Sequence, residues 1–310
     1  MKLRPRLALA AVALSLLAAC GGGSSQVDPF EPRRLIVFGD ESSLVTPQGK
    51  RYAVNGLRFE NGQPSPDCTT NPIWVQTVAA SFNLVLAACN PANATVSSLQ
   101  YAQLGARVAD VRRQIDQHFS GGGLIRTDLI TVMAGLHDIL DLYAQFPAQS
   151  RTQLVAQAGE RGRQLAAEVN RLANANGRIL VLTLPNVGNT PFAITERQNR
   201  NDVNRQDLLK ELSNSFNREL RLTLVNDGRL VGLVLADELV DALVQFPFSA
   251  QLTNVTEGVC AVGLPDCTTA TLVANGDATS WLWADSLRLG TAAHSQIGQS
   301  AVSRAARNPF

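Results

Sequence analysis

The chain has 310 residues, 45% of them hydrophobic and 17% charged, which is apolar material enough for one sizeable core. Its 27 lysines and arginines stand against 26 aspartates and glutamates, a formal charge of +1. With no basic run and few aromatic residues, the composition excludes a nucleic-acid-binding protein.

Residues 1–20 read as a targeting segment. Lys2, Arg4 and Arg6 precede the apolar run LALAAVALSLLAA, which is shorter than the ~20 residues that a membrane span needs. The run ends in LLAAC, which resembles a bacterial lipobox. That resemblance implies a lipidated Cys20 as the mature N-terminus and, with Gly21 next to it, an anchor in the outer membrane. An ordinary secretory signal with an incidental cysteine is the alternative. Residues 21–33, rich in glycine and serine at their start, read as a flexible tether.

The rest, 34–310, reads as one domain without repeats or an internal linker. RLIVF (34–38), DLITVMAG (128–135), RILVLTLP (178–185) and GRLVGLVLAD (228–237) are short, continuous apolar runs, the pattern of buried strands. Between them, Leu154, Ala158, Leu165, Val169 and Leu172 repeat at helical spacing in 151–176, with Gly177 as a stop. Leu209, Leu212, Phe216 and Leu220 do the same in 205–226, and a last helix closes the chain. Buried strands alternating with amphipathic helices predict an α/β fold, a three-layer α/β/α sandwich around a mainly parallel sheet.

Besides Cys20 there are four cysteines, an even number that in an exported chain predicts disulfides. Of the three possible pairings, Cys68–Cys89 and Cys260–Cys267 are preferred, because each pair is close in sequence and lies in loop-rich surroundings. A zinc site is the rival, but no C-x-x-C spacing occurs and no histidine lies near. No cofactor or metal is expected.

In parallel sheets, functional residues collect where strands end, here at Gly39-Asp40-Glu41, at Gly135-Leu136-His137-Asp138 and at Pro185-Asn186-Val187-Gly188. Taken in order, VFGDESS, YAQLGARV, DLITVMAGLHDIL, LTLPNVGNTP, SNSFNREL, LTNVTEGVC and WADSLRLGTAAH resemble the blocks of the SGNH/GDSL esterases and lipases. In that family a serine attacks the acyl carbon and a histidine three residues after an aspartate takes its proton, while the serine amide, a glycine amide and an asparagine side chain hold the oxyanion. Carried over residue by residue, the resemblance keeps Gly105 and Asp285. It places Glu41 at the serine position, His137 at the asparagine position and Arg288 at the histidine position.

Each departure has a chemical consequence. Glu41 has no hydroxyl to acylate and would repel an oxyanion; Arg288 stays protonated and cannot act as a base. The three substitutions do fit one another, and Arg288 is expected to bridge the carboxylates of Glu41 and Asp285. Other residues could restore a reaction. Ser42 could serve as a displaced nucleophile with His137 or His294 as its base, though Ser42 and Ser43 more simply cap a helix starting there. His118 is expected on the solvated surface, and His294 in helix packing. Glu41 could itself act as a nucleophile or base opposite Asp40 or Asp138. Two functional classes follow: a non-catalytic relative that binds an acyl, ester or glycan ligand, and an ester hydrolase with a rearranged site.

Overall fold

Residues 30–200 and 204–307 are described in the computed structural model. The targeting segment, Cys20 and residues 21–29 of the tether lie outside them. The tether ends earlier than the sequence suggests, because Phe30 packs against the core and the Arg178 guanidinium sits 5.8 Å above its ring.

The apolar runs become strands and the periodic stretches become helices. Strand β1 (Arg34–Gly39) is followed by a 3-10 turn (Glu41–Ser43), a hairpin of β2 (Gly56–Glu60) and β3 (Gln63–Asp67), and helix α1 (Trp74–Ser81). Next come β4 (Ser98–Gln100), α2 (Val108–Ser120), β5 (Asp128–Met133), α3 (Leu136–Tyr143), α4 (Arg151–Asn174) and β6 (Arg178–Leu182). The chain continues through α5 (Pro191–Asn199), α6 (Arg205–Thr223), β7 (Val231–Val234) and α7 (Ala236–Gln245). It ends with β8 (Asn254–Gly258), β9 (Trp281–Trp283) and α8 (Thr291–Arg307). The main sheet has five strands in the order β4-β1-β5-β6-β7, all parallel.

Strand alternation sorts the side chains between two cores. Ile36, Phe38, Ile130, Val132, Ile179 and Val181 face one side, where α2, α3, α4 and α6 cover them with Val111, Ile115, Ile139, Leu165 and Leu212. Leu35, Val37, Leu129, Leu180 and Leu182 face the other, under Trp74 and Val78 of α1, Val240 of α7 and Ile297 of α8. These side chains are almost wholly buried, each worth about 1.5–3 kcal/mol. Helices on both faces of a parallel sheet make the three-layer α/β/α sandwich.

The disulfides Cys68–Cys89 and Cys260–Cys267 are both formed, with Cα atoms 5.6 and 5.7 Å apart. Two expectations need correction. Ser42 and Ser43 cap nothing: only a single 3-10 turn starts there, and its cap is Asp40, which accepts the Ser42 amide at 2.9 Å. His118 is not on the solvated surface. It is 2% exposed, hydrogen-bonded to the Tyr101 hydroxyl at 3.1 Å and packed edge-on to Phe38. The helical spacing of Val108, Val111, Ile115 and His118 put it on the buried face of α2.

Candidate functional site

The site forms at the C-terminal edge of the sheet, where β1 ends. Gly39 turns the chain there with φ +135°, and a Cβ on it would lie 2.0 Å from the Met133 carbonyl oxygen, so only glycine fits. Gln114 of α2 holds the turn from below, accepting from the Gly39 amide at 2.8 Å and donating to its carbonyl at 3.0 Å. The next two side chains, Asp40 and Glu41, are thereby fixed inside the molecule, each 1% exposed.

Three other segments converge on the Glu41 carboxylate. The loop after β4 brings the Gly105 amide, which donates to Oε2 at 2.9 Å. Beyond β5, Gly135 opens α3 with φ +131°, and His137 in its first turn sets Nε2 2.8 and 2.9 Å from the two Glu41 oxygens. After β9, Arg288 reaches Glu41 Oε1 through Nε at 3.0 Å and Nη2 at 2.9 Å. Its Nη1 binds Asp285 Oδ2 at 2.8 Å. Asp285 is itself shaped by the amides of Leu287 and Arg288, which donate to Oδ1 at 2.8 and 2.7 Å. Arg288 thus bridges Glu41 and Asp285, and the Tyr52 ring lies 5.9 Å from its guanidinium carbon.

Residues 35–281 match the model of the GDSL-like lipase/acylhydrolase family. The chain belongs to that family. No curated protein matches its sequence. Among solved structures it is similar to the lipase Lip_vut3 from a goat rumen metagenome, at 12% identity and a TM-score of 0.49, over 88% of this chain and 97% of that one. It is also similar to a lipolytic G-D-S-L protein from Veillonella parvula, at 12% identity and a TM-score of 0.46, over 87% and 96%. A third similarity is to Axe2, an acetylxylan esterase from Geobacillus stearothermophilus, at 12% identity and a TM-score of 0.43, over 90% and 96%.

In a GDSL-family centre, charge decides what chemistry is possible. Burial alone would raise the Glu41 pKa, but the hydrogen bond from His137, its positive charge and the Gly105 amide outweigh burial and hold it at about 2. The hydrogen bond to Glu41 raises the His137 pKa in turn, against its own burial. Burial costs Arg288 some of its basicity, and the nearby Asp285 and Glu41 more than restore it. Asp40 goes the other way: burial and the adjacent Glu41 raise it to about 7, against the pull of the Ser42 amide. Glu41 therefore meets a glycine amide, the His137 ring and a guanidinium at once. Its own side chain is completely buried, while those of His137, Arg288 and Asp285 keep only 17%, 21% and 24% exposure.

The remaining candidates of this GDSL domain stand apart. Among the described residues, the Ser42 hydroxyl has no hydrogen bond to any histidine, and His137 Nε2 is already taken by Glu41. His294 is 1% exposed, with its Nδ1 3.5 Å from the Trp74 amide, and burial lowers its pKa to about 3. Asp138 is spent on the Val108 amide at 2.9 Å. No group of three or more His, Cys, Asp or Glu among the described residues is placed to hold a metal ion. Sequence reasoning missed Gln114, Tyr52 and the burial of Asp40. Of these only Gln114 had a signal, since it falls next to Val111 and Ile115 on the inner side of α2.

Proposed function

We propose that this protein keeps the GDSL fold without its ester-hydrolysing chemistry, and acts in the bacterial envelope as a lipid-anchored binding protein for an acyl, ester or glycan ligand. One observation carries the proposal: the Glu41 carboxylate accepts the Gly105 amide, His137 and Arg288 together. In the family pattern those positions supply the oxyanion donor, its asparagine partner and the general base. A carboxylate held by all three leaves an incoming ester no donor, no nucleophile and no base.

Hydrolysis of p-nitrophenyl butyrate by the parent and by Ser42→Ala tests this. The expected result is no turnover above the uncatalysed rate for either protein. Parent turnover that Ser42→Ala abolishes would establish the rival reading, an esterase with a displaced serine. The anchor is tested separately: Cys20→Ser is expected to move the protein from the membrane fraction to the soluble one, and unchanged membrane association would remove the lipobox from the account.

A further inference from the structure

We propose that the edge of the sheet opposite the Glu41 cluster is a docking surface for the anionic phospholipids of the leaflet that holds the anchor. In a parallel sheet every strand starts on one edge, and here those starts are basic. Arg33 precedes and Arg34 opens β1, Arg126 stands just before β5, Arg178 opens β6 and Arg229 stands just before β7. The register sets them side by side: Arg34 pairs with Asp128, Leu129 with Arg178 and Ile179 with Val231. Neighbouring strands run ~4.8 Å apart.

The acids on that edge do not cancel these charges. Asp128 is wholly buried and tied to Arg34 at 2.7 Å, and Asp227 is tied to Arg229 at 2.8 Å. That leaves the exposed Glu31 against three arginines. Arg33 and Arg126 are exposed and form no ion pair among the described residues, and the Arg178 Nε has no hydrogen-bond partner there. The whole chain carries only +1, so this excess is a property of the edge. Apolar side chains share it: Val96 before β4, Ile125 before β5 and Val225 before β7 are 47%, 51% and 40% exposed. Guanidinium groups among isolated aliphatic side chains suit a layer with phosphate at its surface and hydrocarbon beneath.

Where the chain enters the fold selects a membrane over a protein partner. Phe30 lies at this edge, with the Arg178 guanidinium 5.8 Å from its ring. Residues 21–29, between Cys20 and Phe30, reach at most roughly 30 Å even when fully extended. A lipid at Cys20 therefore keeps this edge, rather than the opposite one, near the leaflet, and so short a link raises the effective concentration of a weak contact. The choice of a membrane rests on the anchor proposed at Cys20. Docked this way, the protein turns the Glu41 cluster away from that leaflet.

Both cores are built from residues 35–305, so the chain from residue 21 keeps the fold and carries no lipid. It is sedimented with vesicles of phosphatidylcholine alone and with vesicles containing roughly 30% phosphatidylglycerol. The expected result is binding to the anionic vesicles only, lost as salt rises to about 0.5 M. Arg33→Glu/Arg126→Glu weakens that binding at least ~25-fold, at about five-fold for each charge near the surface, with an unchanged melting temperature. A polarity-sensitive dye on Ile125→Cys shifts to the blue with anionic vesicles. The same dye on Leu104→Cys, comparably exposed beside Gly105 at the other edge, does not. The proposal is overturned if neutral vesicles bind equally well, if the double variant binds like the parent, or if both dyes shift. Absence of vesicle binding overturns it too, and self-association of the same sample would assign the face to a second copy. Fractionation of Cys20→Ser in high salt reads the anchor alone, so the two readings fail separately.

Discussion

At the scale of single residues, the centre is a balance of charges that holds itself closed. Two carboxylates, Glu41 and Asp285, face the His137 ring and a guanidinium, and the innermost carboxylate is sealed from solvent. Glu41→Gln keeps the shape and removes the inner charge, leaving His137 without its carboxylate and Arg288 with Asp285 alone. The expected cost is about 3 kcal/mol, as for breaking a buried ion pair, read from urea unfolding. A loss within about 0.5 kcal/mol, the range of ordinary surface changes, would show that the cluster does not hold the fold together. Asp40 gives a separate prediction. Its pKa is raised from 3.8 to about 7, so the folded state binds the proton more tightly than the unfolded one. The stability this contributes is present below about pH 4 and is lost as pH rises to about 7. His137, also raised, loses its contribution at higher pH in the same direction, whereas Glu41, lowered from 4.5 to about 2, loses its own as pH falls from about 4.5 to about 2. Stability is therefore expected to peak on the acidic side of neutrality. Asp40→Asn, which can still accept the Ser42 amide, is expected to flatten the decline between pH 4 and 7 and to melt roughly 4 °C above the parent at pH 8. Equal melting curves for the two proteins at both ends of that range would refute the assignment.

Single elements explain why this cluster assembles and how much of it the sequence disclosed. The strand ends were legible, because β1, β5 and β6 are continuous apolar runs that stop at a glycine or proline, and a parallel sheet puts such ends on one edge. The disulfides were legible from parity and proximity. The hairpin of β2 and β3 was not: it is mostly exposed, carries Pro64 and Pro66, and lacks a clean apolar alternation. Strands β4 and β9, three residues each, are too short for a periodic signal. The contacts of Glu41 with Gly105, His137 and Arg288 span 64, 96 and 247 positions. No local pattern encodes such contacts, and only the family resemblance suggested that these positions meet. His118 failed for a different reason, since its polar neighbours in sequence point away on the other side of α2. The turn at Gly39 is the element-level weak point. Gly39→Ala sets a methyl against the Met133 carbonyl and demands φ +135° of a residue with a Cβ. We expect a loss above about 3 kcal/mol, or no soluble protein. A variant with parental stability would mean that the turn can relax, and that Glu41 is not fixed by it.

At the scale of the whole molecule, the GDSL fold and its chemistry are separable. The sheet, both helical layers and the convergence of loops at the strand ends belong to the fold, and none of them needs a serine at position 41. None of the described helices is long and apolar enough to cross a membrane, so the envelope location rests on the anchor proposed at Cys20. The same separation explains why a family match and a functional reading differ here: the match extends over 35–281, whereas catalysis depends on a few side chains at one edge of the sheet. The most direct test is labelling with a fluorophosphonate, which reacts only with an activated serine. It is applied to the parent and to the triple variant Glu41→Ser/His137→Asn/Arg288→His, followed by peptide mapping. The account predicts an unlabelled parent and a variant labelled at position 41. A parent labelled at Ser42 would contradict it, and would make this chain a working esterase.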